Sequence, residues 1–117
     1  MVALREVAWL AGMVEGEGCF AWSGRSPQIV VSSTDLDVIE HCGRLFGRRV
    51  ETLAPRPGGR KQQYATRIYG AGAVGWMMTL YPLLGERRCG KVREVLVAWR
   101  ERPVHHNTAA ALRRHAA

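Results

Sequence analysis

The stretch at residues 9–20 reads WLAGMVEGEGCF, and it contains two glutamates that are each followed by a glycine. The apolar run that leads into it, residues 3–15, repeats apolar side chains at spacings of three and four. That period predicts an amphipathic helix, which Gly16 and Gly18 end. The two carboxylates therefore lie at the end of the most apolar helix of the chain.

One side of this predicted helix carries almost no side chains. Ala8, Ala11, Gly12 and Gly16 form it, and a glycine within a helix costs about 1 kcal/mol relative to alanine. Such a strip lets another helix approach closely. If that helix belongs to a second copy of the chain, Ala8, Ala11 and Gly12 are the candidate interface residues. If two copies pack there, their terminal glutamates come together and repel each other, unless a divalent cation lies between them.

Length and composition indicate one globular domain. The chain has 117 residues, of which 47% are hydrophobic and 23% charged, an ordinary globular balance. No apolar run approaches the roughly 20 residues needed to span a bilayer, and the N-terminus lacks the features of a signal peptide. We therefore expect a cytoplasmic protein without a membrane partner.

The three cysteines, Cys19, Cys42 and Cys89, are widely spaced. No CxxC or Cys/His pairing suggests zinc. We expect reduced thiols with structural or inert roles.

Positive charge is concentrated in one part of the chain. Lys plus Arg is 17 against 10 Asp plus Glu, a net charge of +7, and the span 44–67 holds seven basic residues and one acid, Glu51. A patch of this density attracts polyanions. Nucleic acid is the favoured partner, while an anionic membrane or a merely solvated surface remain alternatives.

The remaining pattern predicts two hairpins separated and followed by helices. The predicted elements are strands 19–24 and 28–33, helix 34–47, strands 48–56 and 61–70 around the turn PGG, helix 73–85 broken at Pro82, and helix 87–102 ended by Pro103. The order α-β-β-α-β-β-α-α predicts an α+β fold, with helices on one face of an antiparallel sheet. Residues 1–103 would form the single domain, and 104–117 a tail that is either a short helix or frayed.

The stretch at 9–20 resembles the LAGLIDADG motif of homing endonucleases. Leu10, Ala11, Gly12 and Gly18 match the motif outright, Met13 and Val14 are hydrophobic substitutes, Glu15 and Glu17 replace aspartates, and Gly16 replaces an alanine. The segment YPLLGERRCGKVREVL at 81–96 also resembles the part of the family that follows its third helix. The resemblance implies the family's αββαββα fold.

This resemblance also implies a function. Members with one motif act as homodimers that cleave both strands of a long pseudo-palindromic DNA duplex by metal-dependent phosphodiester hydrolysis, and they are encoded in introns, inteins or free-standing genes. It implies Mg²⁺ or another divalent cation and no small-molecule cofactor. The alternative is a non-cleaving protein of the same fold that binds DNA or RNA, such as a regulator or an intron maturase.

Roles for individual residues follow from the family pattern. The metal-binding acid of the motif corresponds to Glu17, assisted by the backbone carbonyl of Gly16. Glu15 is the weaker candidate ligand, and its alternative role is structural, at the end of the helix facing the sheet or a dimer partner. Arg87 would assist at the scissile phosphate, with Arg88 as the choice if the alignment shifts by one. Ser32, with Ser33 as the alternative, would order water.

Strand alternation predicts the DNA-facing set. Candidates for base contacts are Ser23, Arg25, Gln28, Lys61, Gln63 and Arg67, opposite the core-directed Phe20, Ile29, Val31, Tyr64 and Ile68. Candidates for contacts to the DNA backbone are Arg48, Arg49, Arg56, Arg60 and Arg88. Backbone contacts position a protein on DNA, while arginine and glutamine in the major groove read guanine and adenine.

Overall fold

The computed structural model describes residues 2–103, so the tail predicted at 104–117 lies outside the described residues. The elements are α1 (Leu4–Glu17), β1 (Gly18–Ser23), β2 (Ser26–Ser33), α2 (Leu36–Phe46), β3 (Val50–Thr52), β4 (Tyr64–Tyr69), α3 (Gly70–Leu80), a 3₁₀ turn (Tyr81–Leu83) and α4 (Glu86–Arg100). This order confirms the predicted α+β class.

The four strands form one antiparallel sheet in the order β1-β2-β4-β3. The two predicted hairpins are present, and β2 joins them by pairing with β4. In this register Phe20 lies across from Ile29, and Ile29 across from Ile68. Directly opposed residues point to the same face of a sheet, so these three side chains meet on one side.

That side of the sheet holds the core. Phe20, Ile29 and Ile68 are buried there with Leu10 and Val14 from α1, and helices α2 and α3 also pack on it. We call the opposite side the open face. Its side chains are Cys19, Ala21 and Ser23 from β1, Ser26, Gln28, Val30 and Ser32 from β2, Glu51 from β3, and Ala65, Arg67 and Tyr69 from β4.

The first hairpin turns through two residues, Gly24 and Arg25. Gly24 has a φ of +62°, which glycine adopts without strain at the first position of a hairpin turn. The turn expected between the strands predicted at 19–24 and 28–33 is therefore present, but it comprises Gly24 and Arg25.

The second hairpin differs from the prediction. Strands predicted over 48–56 and 61–70 shrink to Val50–Thr52 and Tyr64–Tyr69, and residues 53–63 form a loop. Pro55 and Pro57 lack the N–H that a strand ladder needs.

The helix boundaries differ from the prediction by a few residues, and two of the shifts involve glycines. Helix α1 continues through Gly16 to Glu17, because a single glycine lowers helix stability without ending the helix. Helix α3 begins at Gly70, three residues before the predicted start, and the φ of +65° at Gly70 makes the turn out of β4. The end of α2 agrees with prediction, since Gly47 follows it with a φ of +68°.

Gly18 makes the junction between α1 and β1 possible. Its φ of −94° is accessible to any residue. Glycine is therefore needed here for lack of space and not for its backbone conformation. A Cβ at this position would lie 2.7 Å from the Cα of Val14 and 2.8 Å from its carbonyl oxygen. At Gly16, by contrast, a Cβ would meet no described heavy atom within 4 Å.

Two alanine substitutions should therefore act with opposite signs. We expect Gly18→Ala to lower the free energy of unfolding by about 1–3 kcal/mol, the usual cost of forcing an extra carbon into a packed site. Gly16→Ala should raise it by up to about 1 kcal/mol through helix propensity. Urea unfolding measures both changes, and an unaffected Gly18→Ala protein would contradict the steric explanation.

The thiols occupy different environments. Cys42 is buried in the core, and this burial raises the pKa of its thiol to about 11, which leaves it protonated and unreactive at neutral pH. Cys19 is exposed on the open face.

Within residues 2–103, no helix combines the length and apolar character required to cross a membrane.

Candidate metal and nucleic-acid site

The two glutamates of the motif have different surroundings. Glu15 binds the start of α4, because the backbone N–H of Gly85 donates a hydrogen bond to its Oε1. The Nε of Arg88 lies 3.5 Å from Oε2 of the same carboxylate and donates to the backbone oxygen of Glu15 at 3.2 Å. A carboxylate at a helix N-terminus satisfies an otherwise unpaired N–H and faces the positive end of the helix dipole. Glu15 therefore connects α1 to α4.

Glu17 is the last residue of α1, and it is exposed. Within residues 2–103, its side chain forms no hydrogen bond or ion pair. The adjacent Gly18 pairs with Val31 of β2, so Glu17 lies at the end of the sheet beside the end of β2. Its carboxylate oxygens are available to a ligand.

The two serines proposed to order water, Ser32 and Ser33, also have different surroundings. Ser33 Oγ accepts a hydrogen bond from the backbone N–H of Asp35 at 3.1 Å, and this contact shapes the turn into α2. Ser32 belongs to the open face and follows Val31, the partner of Gly18. Of the two serines, Ser32 is therefore the one that lies beside Glu17 at the end of the sheet.

Helix α4 brings basic side chains to the start of β1. Arg87 and Lys91 are exposed, and they line a surface recess together with Cys19, Phe20, Arg88 and Glu94. The Arg88 side chain is only 15% exposed, because it turns inward to Glu15. Arg87 is thus the better placed of the two arginines for a phosphate, and the contact to DNA predicted for Arg88 is not supported by its position.

The candidates for base contacts occupy three positions. Ser23, Gln28 and Arg67 belong to the open face, Arg25 is exposed in the hairpin turn, and Lys61 and Gln63 lie in the loop before β4. Gln28 is only 9% exposed. It lies between Ala21 and Tyr69 in the register, so its neighbours cover most of it.

Arg67 does not stand alone on the open face. Its Nε lies 2.8 Å from Oε2 of Glu51 on the neighbouring strand β3. Beside this pair, Arg48 donates from its Nε to the backbone oxygen of Arg67 at 3.2 Å, and its guanidinium lies 6.0 Å from the ring centre of Tyr69.

The arginines expected at the DNA backbone divide into two groups. Arg48, Arg49 and Arg60 are exposed. Arg56 instead folds onto its own loop, where its Nη2 donates to the backbone oxygen of Lys61 at 3.1 Å. Its Nε is buried without a hydrogen-bond partner among the described residues. Arg56 therefore stabilises the conformation of its own loop and is not directed outward to a DNA backbone.

The strip predicted for a dimer interface is present but narrower. Ala8, Gly12 and Gly16 are exposed along α1 at intervals of four residues, and a Cβ at Gly12 would meet no described heavy atom within 4 Å. Ala11 is only 4% exposed and packs into the core of its own chain. The position of Ala11 therefore corrects its assignment to the interface.

Sequence reasoning missed three residues of this region. Lys91 lies one helical turn after Arg87, and the spacing of four would have placed both on one face of α4. Tyr69 and Glu51 are on the open face. Alternation with Arg67 indicates Tyr69. The predicted second hairpin pairs the strand of Glu51 with that of Arg67, but the sequence does not give the register that brings these two residues together.

Comparison with known proteins gives structural matches and no sequence matches. No model of a protein family matches the chain, and no curated protein matches it. The structure is similar to that of the homing endonuclease I-CvuI in complex with its target in the presence of 2 mM Ca, with a TM-score of 0.60 and 20% identity over 79% of this chain. This chain has the homing-endonuclease fold.

A second structure shares the homing-endonuclease fold. It is the archaeal intron-encoded homing endonuclease I-Vdi141I complexed with DNA, which matches with a TM-score of 0.57 and 14% identity over 77% of this chain. The match covers 64% of the I-CvuI chain and 65% of the I-Vdi141I chain. The fold predicted from the motif is therefore confirmed, while these identities carry no residue role across to this chain.

Proposed function

We propose that this chain is a site-specific DNA endonuclease of the homing type, which cleaves both strands of a long pseudo-palindromic duplex as a homodimer. The observation that carries the proposal is the exposed Glu17 carboxylate at the end of a sheet whose open face and flanking helix carry arginine and lysine. A carboxylate on a surface that binds phosphates would weaken binding, since the two negative charges repel each other. Its presence there therefore indicates a separate role. Holding a divalent cation against the phosphate is such a role.

The donor atoms at this position suit a hard cation. Glu17 offers carboxylate oxygens, and Gly16 is exposed beside it with its backbone carbonyl near the end of α1. Mg²⁺ prefers oxygen ligands and is commonly bound by one or two carboxylates together with substrate phosphates. When bound, such a cation neutralises charge on the phosphate and polarises water.

A single chain does not complete this site. Among residues 2–103, no group of three or more His, Cys, Asp or Glu side chains is arranged to hold a metal ion. The exposed strip of Ala8, Gly12 and Gly16 runs along α1 toward Glu17. Packing two copies through this strip would bring two Glu17 carboxylates to one place, where DNA phosphates would supply further oxygens.

The other groups have roles that follow from position. Arg87 and Lys91 would offset charge on the phosphate from the side of β1, and Ser32 would hydrogen-bond water beside Glu17. Exposed Arg48, Arg49 and Arg60 would contact the DNA backbone. Within each half-site, the open face would lie in the major groove, which admits a two-stranded β-ribbon.

A randomised duplex library tests this function. We expect the full chain to select a pseudo-palindrome of about two helical turns and to cut both strands only when Mg²⁺ is present, with cleavage lost on adding a chelator. Sequencing of the selected and cleaved pools measures both steps. Selection without metal-dependent cleavage would refute the nuclease and leave a non-cleaving DNA-binding protein of this fold.

A further inference from the structure

We propose that Glu51 is a specificity-determining residue, which holds Arg67 in position to read one guanine in each half-site. This inference rests on the proposed DNA-binding function. Glu51 would contact Arg67, and Arg67 alone would contact the base.

The sheet register brings the two side chains together. Glu51 lies directly across from Ala65, which makes Arg67, two residues further along β4, its diagonal neighbour on the open face. Long side chains reach a diagonal neighbour across strands. Here the Nε of Arg67 lies 2.8 Å from Oε2 of Glu51, and the two side chains are 30% and 35% exposed. Both are therefore accessible from the open face while in contact.

The geometry of the contact leaves the reading end of the arginine available. The carboxylate binds at Nε, on the side of the guanidinium, so the end of the guanidinium that carries its two terminal amino groups is not used by this contact. Those two groups match the O6 and N7 acceptors of guanine in the major groove. The Arg67 guanidinium loses less conformational entropy on binding DNA when its orientation is already fixed by Glu51.

Charge also argues for a positioning role. Glu51 is the single acid in the span 44–67, among seven basic residues. A carboxylate on a DNA-facing sheet weakens attraction to phosphates, and partly exposed ion pairs add little to stability. Orienting Arg67 explains why an acid occupies this site, because restricting the direction of the arginine improves discrimination between bases.

The test compares base preferences in selections from a randomised half-site library at fixed salt. The unsubstituted chain should prefer guanine at one position, and Arg67→Gln should lose that preference at that position alone. Glu51→Gln should reduce the same preference about tenfold, the lower range for one bidentate contact, with other positions and the melting temperature unchanged. The control is Glu101→Gln, which removes an acid that is also paired with an arginine, Arg100, but is more exposed, at 67% against 35% for Glu51. It lies at the end of α4, away from the open face, and should leave every preference unchanged.

The possible outcomes separate the two proposals. If Glu51→Gln strengthens binding to all sequences equally and keeps the guanine preference, Glu51 acts only through its charge, and the inference is overturned. It is also overturned if Arg67→Gln changes no base preference. If the unsubstituted chain selects no DNA, the proposed function fails and this inference fails with it.

Discussion

Glu17→Gln should reduce the rate of DNA cleavage by about a hundred- to a thousandfold, the loss typical of removing one group that stabilises transition-state charge. The substitution keeps the size of the side chain and removes the charge that would hold a divalent cation. DNA binding should survive. Without metal, the variant should bind DNA more tightly than the unsubstituted chain, because an unneutralised carboxylate repels phosphate. Cleavage assays and binding measurements with Ca²⁺ or a chelator measure the two effects separately.

Glu15→Gln is the matched control for this experiment. Its side-chain oxygen can still accept the hydrogen bond from the Gly85 N–H, so the contact between α1 and α4 is largely kept. We expect this variant to retain cleavage but to lose some stability, because the mostly buried Arg88 keeps its bond to the Glu15 backbone oxygen and loses its charged partner. If Glu15→Gln were as inactive as Glu17→Gln while remaining folded, our assignment of the two acids would be reversed.

Gly12→Leu should abolish the dimer and weaken binding to the full pseudo-palindrome by about 10²–10⁴-fold, the range by which joining two binding units raises affinity. A leucine on the strip holds the two helices apart, since close approach needs small residues. The chain itself should fold normally, because a Cβ at this position meets no described heavy atom within 4 Å. Sedimentation velocity measures the mass of the assembly, and a titration with a full-length duplex measures the affinity.

Two controls accompany this prediction. Gly12→Ala should stabilise the fold by up to about 1 kcal/mol and test whether the strip tolerates a single methyl group. Gly75→Leu makes the same change at an exposed glycine of α3, where a Cβ also meets no described heavy atom within 4 Å; it should leave the dimer intact. A Gly12→Leu protein that still sediments as a dimer on DNA would show that the interface lies elsewhere.

Patterns within a few residues predicted most of the fold. The three-and-four spacing before Glu15 predicted α1, and the glycine and proline between the strands expected at 19–24 and 28–33 predicted the first hairpin. Prediction was weakest around β3, where a basic, polar run resembled a longer strand. Pro55 lay within the strand predicted at 48–56, and its missing N–H group was evidence against a strand at that position.

The candidate site was less accessible from sequence. Arg87 and Arg88 are adjacent, and local reasoning left them nearly equivalent. They point in different directions because neighbouring helical residues are about 100° apart, and the contact with Glu15 alone shows which one turns inward. The choice between Ser32 and Ser33 likewise depended on which of them faces the open side of the sheet.

The sequence by itself determined that a smooth helix ends in two acids, that two hairpins follow, and that basic residues concentrate in the second. These features depend on the spacing of residue types within short stretches, which can be read directly from the sequence. Only the tertiary structure decided which acid is available for a ligand, because the partners that occupy Glu15 come from 70 and 73 residues further along the chain. It also decided that Ala11 belongs to the core and that Arg67 has Glu51 as its partner. Such contacts depend on how elements that are distant in the sequence pack together, and the spacing of residues within one element does not predict them.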